Sequence, residues 1–73
     1  MEKITINNWN EFGNYMLFAN MVDETGKWIL LEVTGSSINA TGNMEALQAF
    51  SELLRARNIP FTFDIKLPNN QTT

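Results

Sequence analysis

The stretch from Asn43 to Leu67 constrains the fold of this chain most, because it encodes a capped helix followed at once by a strand. Wound as an α-helix, residues 44–57 place their apolar side chains on one stripe and most of their polar ones opposite. The apolar stripe consists of Ala46, Leu47, Ala49, Phe50, Leu53 and Leu54. Asn43 suits the N-cap, because its side-chain oxygen can accept a hydrogen bond from the first turn. The pattern predicts a surface helix with one buried face.

The residues after this helix predict how it ends and which element comes next. Asn58 suits the left-handed position after a helix, and a contact of Ile59 with Leu54 would complete a Schellman cap. Pro60 prevents the helix from continuing. From residue 61 to residue 67 apolar and polar residues alternate strictly, which is the period of a half-buried strand. We therefore expect the chain to end its ordered part in a C-terminal strand, about 61–67.

Residues 8–34 allow two interpretations. A single helix over 8–22 would begin with a capping signal at Asn8, but its apolar residues would point in every direction and Gly13 would interrupt it. Such a helix would have to be wholly buried, which a domain of this size can hardly achieve. The alternative is a β-hairpin, about 14–34, that turns at Asp23 to Gly26. Aromatic and β-branched residues on both sides of that turn favour the hairpin.

Together these elements predict an α+β fold. We expect a small, largely antiparallel sheet, made from the hairpin 14–34 and the strand 61–67, with one amphipathic helix 44–57 packed on one face. A short strand over 3–6, a helical turn over 9–12 and a short edge strand between Gly35 and Gly42 complete the prediction. Residues 1–67 would form a single domain, and the polar residues 68–73 a flexible tail.

The segment 23–33, with its threonine-glycine-lysine turn and leucine-glutamate-valine ending, resembles the first hairpin of ubiquitin-type proteins. The helix that closes at residues 58–60 and leads into a strand is similar to the same family. The resemblance covers roughly half of the chain and implies a β-grasp-like ββαβ topology. Residues 1–13 have no counterpart in that pattern, and the chain ends without a diglycine tail, so a conjugated modifier is not expected.

Composition excludes several function classes. The net charge is −3, and the five basic residues are spread along 73 positions, which argues against nucleic-acid binding by a basic surface. The chain contains neither histidine nor cysteine, so it lacks the commonest general base, thiol nucleophile and zinc ligands. We therefore expect no enzymatic activity, no cofactor and no metal. No apolar run approaches membrane-spanning length, and a cytoplasmic location is expected.

Polar residues before the helix 44–57 offer a second local motif. Hydroxyl and amide groups gather there, near a helix N-terminus, where an anion can bind. The residues are Ser36, Ser37, Thr41, Gly42 and Asn43. Because no basic residue lies beside them in sequence, capping and turn formation are the favoured roles.

The function prediction depends on the predicted hairpin. Its apolar residues lie on both faces, and one helix can cover only one face of a sheet. A small acidic protein–protein interaction module is therefore expected, of the kind common among phage and mobile-element inhibitors of host protein complexes. The predicted partner-binding residues are Trp9, Tyr15, Phe18, Trp28 and Leu30. Two alternatives stay open: a homodimer through the apolar sheet face, and a single-stranded nucleic-acid-binding module that uses exposed aromatics. The aromatic pair at positions 9 and 12 could also form only a hydrophobic lid on the core.

Overall fold

A computed structural model describes residues 2–65 of the chain as a single α+β domain with two helices and four strands. A 3₁₀ turn, Trp9–Glu11, lies between the first strand and the first helix. In chain order the elements are β1 (Glu2–Asn7), α1 (Tyr15–Thr25), β2 (Leu30–Thr34), β3 (Ser37–Gly42), α2 (Met44–Ala56) and β4 (Thr62–Asp64).

The four strands form one sheet in the order β2-β3-β1-β4, with every neighbouring pair antiparallel. Consequently β1 runs parallel to β2, with β3 between them, and β3 runs parallel to β4, with β1 between them. A helix joins the two strands of each parallel pair. This repeated split β-α-β arrangement is the ferredoxin-like topology.

The predictions for α2 are confirmed. The side-chain oxygen of Asn43 accepts a hydrogen bond from the backbone N–H of Ala46 at 2.8 Å, so Asn43 is the N-cap. At the other end Asn58 has a φ of 58°, and the N–H of Ile59 donates to the carbonyl of Leu54 at 3.0 Å. Those two features are the left-handed residue and the long-range bond of a Schellman cap.

The prediction of a first hairpin strand over residues 14–22 is wrong, because residues 15–25 form α1. Asn14 caps this helix by accepting from the N–H of Leu17 at 3.0 Å. Gly26, with a φ of 65°, ends it as a left-handed residue whose N–H donates to the carbonyl of Asp23. The helix does not have to be wholly buried, because it buries Phe18 and leaves Met16 59% exposed.

The hairpin of the sheet lies further along the chain, between β2 and β3. Thr34 pairs with Ser37, so the turn consists of Gly35 and Ser36. Gly35 has a φ of 60° and Ser36 does not have a positive φ, which is the pattern of a type II′ turn. The predicted turn over 23–26, and with it the β-grasp-like ββαβ order, is therefore wrong; the order is βαββαβ.

Four further predictions can be compared with the structure. The strand predicted over 3–6 is confirmed as β1, and the helical turn after it is confirmed, although Asn8 forms no side-chain capping bond. The segment between Gly35 and Gly42 is a strand, but β3 lies inside the sheet and not at its edge. The C-terminal strand predicted over 61–67 is observed as Thr62–Asp64. Residues 66 and 67 of the predicted strand and the predicted tail 68–73 lie outside the described residues.

The core lies on one face of the sheet, beneath both helices. Isoleucines of β1 and β3 contribute from below, and aromatic and aliphatic residues of the helices from above. The fully or nearly fully buried residues are Ile4, Ile6, Phe18, Met21, Ile29, Ile38, Ala40, Ala46, Leu47, Phe50, Leu54 and Ile59.

The opposite face of the sheet is polar. Because side chains alternate along a strand, the residues between the buried isoleucines and alanine of β1 and β3 all point to this second face. They are Lys3, Thr5, Asn7, Ser37, Asn39 and Thr41. The predicted sheet with two apolar faces is thus not formed, because more than half of the apolar residues of the predicted hairpin 14–34 belong to α1.

Candidate partner-binding edge

The outer edge of β2 is the longest strand edge that is left without a partner among residues 2–65. The strand order places β2 and β4 at the two ends of the sheet, and β2 has five residues where β4 has three. Exposed strand edges carry unpaired backbone N–H and C=O groups, which can pair with another chain. We call residues 28–34, which include β2 and the segment leading into it, the β2 edge.

The pairing pattern shows which backbone groups point outward. The N–H of Asn8 donates to the carbonyl of Ser36 at 2.7 Å, which extends the ladder between β1 and β3 by one bond. In an antiparallel ladder, alternate residues bond to one neighbour and the others to the opposite neighbour. In β3, Ser37, Asn39 and Thr41 therefore bond to β2.

Their partners in β2 are given by the register. The three residues of β3 pair with Thr34, Glu32 and Leu30, which direct their backbone N–H and C=O groups toward β3. The residues between them, Leu31 and Val33, direct their N–H and C=O groups away from the sheet. Two residues of β2 therefore offer up to four backbone hydrogen bonds to a further strand.

Side chains on both faces of this edge are exposed and mostly apolar. Leu31 and Val33 lie on the face that carries the helices, yet Val33 is 50% exposed. Leu30 and Glu32 lie on the open face, where Leu30 is 45% exposed. An added strand would therefore meet apolar surface on both faces and a single charge, Glu32.

Trp28 extends this apolar surface beyond the start of β2. Its side chain is 72% exposed, whereas the next residue, Ile29, is almost fully buried in the core. The backbone of Trp28 is held close to the end of β3, where a Cβ added to Gly42 would lie only 3.1 Å from the Trp28 carbonyl oxygen. The tryptophan is thus exposed on a segment whose backbone lies against the end of β3.

The structure separates the predicted partner-binding residues into two groups. Phe18 is fully buried, so its assignment to a partner surface is wrong. Trp9 is half-buried and packs edge-on against Phe18, with ring centroids 6.0 Å apart and an interplanar angle of 87°. Trp28 and Leu30 lie together on the β2 edge, and Tyr15 is exposed at the start of α1.

Sequence reasoning did not identify Glu32 and Val33 as residues of this site. In the hairpin interpretation both residues belong to the returning strand, which would pair with residues 14–22. The Gly35–Ser36 pair between two alternating stretches could have identified the true hairpin, since glycine at the first central position is typical of a type II′ turn. A turn at these two residues pairs β2 with β3 and leaves the other edge of β2 without a partner among the described residues.

The open face of the sheet is occupied by hydrogen bonds between its own side chains. The hydroxyl of Thr5 donates to the side-chain oxygen of Asn39 at 2.9 Å, and the hydroxyl of Ser37 donates to that of Asn7 at 2.7 Å. Both pairs lie at positions where the backbones do not bond directly and side chains approach most closely. This face carries no aromatic side chain on β1 or β3 on which a nucleic-acid base could stack.

The opposite edge of the sheet is smaller. The guanidinium carbon of Arg55 lies 5.4 Å from the centre of the Phe61 ring, in cation–π geometry, just before β4 begins. Shallow depressions border this contact, and Arg55, Asn58 and Pro60 line one of them. β4 has only three residues and lies beside the charged Arg55, so its outer edge offers fewer unpaired backbone N–H and C=O groups than that of β2.

Charged side chains elsewhere form surface contacts. Lys27 and Glu45 are 3.2 Å apart, and Arg57 and Glu24 are 3.9 Å apart, all four being substantially exposed. These are the two ion pairs among residues 2–65, and neither involves Glu32. Within that same range, no three acidic side chains gather in a group that could hold a metal ion.

Comparison with protein-family models, with curated proteins and with solved structures finds no match for this chain. Within residues 2–65, neither helix is long and apolar enough to cross a membrane. The β2 edge is therefore the feature of the molecule on which a functional proposal can be based.

Proposed function

We propose that this protein is a small protein–protein interaction module that binds an extended segment of another protein as an additional strand beside β2. The observation that carries the proposal is the outward direction of the Leu31 and Val33 backbone groups on an edge flanked by exposed apolar side chains. Strand addition of this kind combines main-chain hydrogen bonds with side-chain contacts that give specificity.

Backbone hydrogen bonds alone would not hold such a segment. Each contributes about 0.5–1.5 kcal/mol net, whereas association costs about 4–15 kcal/mol in lost freedom. Additional contacts are needed, and Trp28 and Leu30 supply them beside the strand. Tryptophan is among the residues that contribute most to binding energy at protein interfaces, and the Trp28 side chain is 72% exposed and so available to a partner.

The nucleic-acid alternative has less support. Bases bound to an open sheet stack on aromatic side chains of the central strands, and β1 and β3 present threonine, asparagine, serine and one lysine there. Trp28 belongs to the β2 edge, in which the one charged residue is the acidic Glu32. An inhibitory role against a host complex and a cytoplasmic location both stay predictions.

The proposal is tested with a proline at position 33. Proline removes the outward N–H of Val33 without removing a bond to β3, and proline is tolerated on edge strands. Val33→Thr is the matched control, because it keeps the N–H and a β-branched side chain of similar size. A third variant, Trp28→Ala, removes the proposed anchor.

The probe is a library of random peptides displayed on phage and selected against the immobilised protein. We expect the enriched peptides to bind the unaltered protein and the Val33→Thr variant, and to lose most of their binding to Val33→Pro and Trp28→Ala. Circular dichroism would first establish that each variant is folded. Enriched peptides that bind Val33→Pro as well as the parent, or selection that never rises above background, would refute strand addition at β2.

A further inference from the structure

We infer that Glu32 selects the strand that pairs with β2: a segment of another protein with a basic residue between two apolar residues, and not a second copy of this chain. This inference rests on the proposed function, since it assumes that a strand is added at the β2 edge. It depends on the direction of the backbone groups, on the faces where the side chains lie, and on charge.

The residue of an added strand that faces Glu32 occupies a close-approach position. In an antiparallel strand bonded to the outward groups of Leu31 and Val33, that residue forms no backbone bond with Glu32. Side chains approach most closely at such pairs, with Cα atoms about 4.5 Å apart. The residue that faces Glu32 therefore interacts directly with its carboxylate.

The surroundings of Glu32 supply no positive charge. On the inner side it pairs with Asn39, which is neutral, and its neighbours on the same face of β2 are Leu30 and Thr34. Lys3, the basic residue on that face within residues 2–65, belongs to β1 and is separated from β2 by β3. The carboxylate therefore has no cation beside it there, and a basic side chain on the added strand would be its nearest opposite charge.

The two positions on either side of the basic residue meet apolar surface. Residues opposite Leu31 and Val33 would lie on the face that carries the helices, against apolar and partly exposed side chains. Apolar side chains at these two positions would remove that surface from water. The recognised pattern is thus apolar, basic, apolar over three consecutive residues of an antiparallel strand.

A second copy of the chain does not satisfy this pattern. Two β2 strands related by a two-fold axis pair the outward groups of Leu31 and Val33 entirely with one another only if Leu31 of each copy faces Val33 of the other. That register places Glu32 directly opposite Glu32 of the second copy, and like charges at facing positions are destabilising. A shift of the axis by one residue along β2 moves bonds onto Ile29 or Gly35, which lie outside the strand.

The inference is tested with three short blocked peptides of alternating valine and threonine that differ only in a central lysine, glutamine or glutamate. Each is titrated into the isotopically labelled protein, and the N–H signals of Leu31 and Val33 are followed by NMR. We expect the lysine peptide to bind about tenfold more tightly than the glutamate peptide, within the range that facing charge pairs give. The Glu32→Lys variant should reverse this order, and Glu32→Gln should abolish it.

The outcomes distinguish this inference from the proposed function. If all three peptides shift the Leu31 and Val33 signals with equal affinity, charge selection is refuted and strand addition stands. If no peptide shifts these signals, both are refuted. Concentration-dependent dimerisation of the unaltered protein through the same two N–H groups, seen by NMR and by analytical ultracentrifugation, would refute the exclusion of a second copy.

Discussion

The contact between Trp9 and Phe18 provides the most direct test of the structure, because it exists only if residues 15–25 are a helix packed on the core. The two rings meet edge to face with centroids 6.0 Å apart, and Phe18 is fully buried. Such a pair contributes about 0.5–1.5 kcal/mol beyond the area that it buries. We expect this coupling to be measurable with leucine substitutions.

The loss of unfolding free energy expected from each substitution depends on how deeply the replaced side chain is buried. Replacing a buried phenylalanine by alanine costs about 3–5 kcal/mol, and leucine refills part of the space, so Phe18→Leu should cost about 1.5–3 kcal/mol. Trp9 is half-buried, and Trp9→Leu should cost about 1–2 kcal/mol. A chain of 73 residues has a free energy of unfolding of about 4–11 kcal/mol, so both single variants should remain folded.

The double variant reveals the coupling. Because the aromatic contact is already lost in either single variant, the double variant should be less destabilised than the sum of the two by about 1 kcal/mol. Urea unfolding followed by far-UV circular dichroism measures all three free energies, since fluorescence would change with the loss of Trp9. Phe18→Leu combined with Trp28→Leu is the control, and these two should add within about 0.5 kcal/mol.

Two results would contradict this reasoning. Additive effects of Trp9→Leu and Phe18→Leu would mean that the rings do not interact. A cost below about 0.5 kcal/mol for Phe18→Leu, which is the range of surface substitutions, would place Phe18 on the surface. The second result would restore the hairpin interpretation of residues 14–34.

Three further predictions concern local structure, and urea unfolding measures each of them. Asn43→Ala should lower the free energy of unfolding by about 1 kcal/mol, and Asn14→Ala by less, because both remove a capping bond but only the first bond is partly buried. Gly35→Ala should cost about 1–2 kcal/mol from its left-handed backbone alone, since nothing lies within 4 Å of the added Cβ, and Gly35→Asn should cost less. Gly42→Ala should cost about 1–3 kcal/mol through a steric contact and not through backbone strain, because the Cβ would press against the backbone carbonyl of Trp28. Equal costs at the two glycines, with no change in the NMR signal of the Trp28 N–H, would contradict the difference in cause between Gly35 and Gly42.

The sequence predicted α2 well because all of its signals are local and agree. The apolar stripe, the Asn43 cap and the Asn58–Pro60 ending each point to the same helix, and no tertiary contact is needed to choose between alternatives. The structure confirms both ends within one residue of the predicted range. The strand after α2 was also predicted, and within the described part of the chain residues 62–64 pair with β1.

The secondary structure of residues 15–25 was predicted wrongly because the local signals in this segment conflict. Gly26 is suited to a left-handed position, but a hairpin turn and a helix C-cap both use such a residue. The apolar residues of α1 do not lie on one stripe, since Tyr15 and Met16 are exposed while Phe18 and Met21 are buried. The assumption that exposed apolar residues cannot lie on a helix was too strict.

The candidate site was predicted only in part, for a related reason. Trp28 and Leu30 are exposed as expected, but whether an aromatic residue faces the core or the solvent depends on the helix or strand to which it belongs and on how that element packs. Phe18 and Trp28 look equivalent in the sequence, but Phe18 lies on α1 and is buried, whereas Trp28 precedes β2 and is exposed. Glu32 acquires its proposed role only when the register shows which groups of the strand point outward.

The position of β4 has a consequence for how the domain opens. It pairs with β1, so residues close to opposite ends of the described chain, such as Ile4 and Phe63, are neighbours. Closing so long a loop costs conformational entropy, and a three-residue strand recovers little of it. Amide hydrogens of Thr62 and Asp64 should therefore exchange with solvent through a local detachment of β4, well below the free energy needed to expose those between β1 and β3. When β4 detaches, the outer edge of β1 takes its place as an open edge for as long as the opening lasts, with Ile4 and Ile6 on the side that the helices cover.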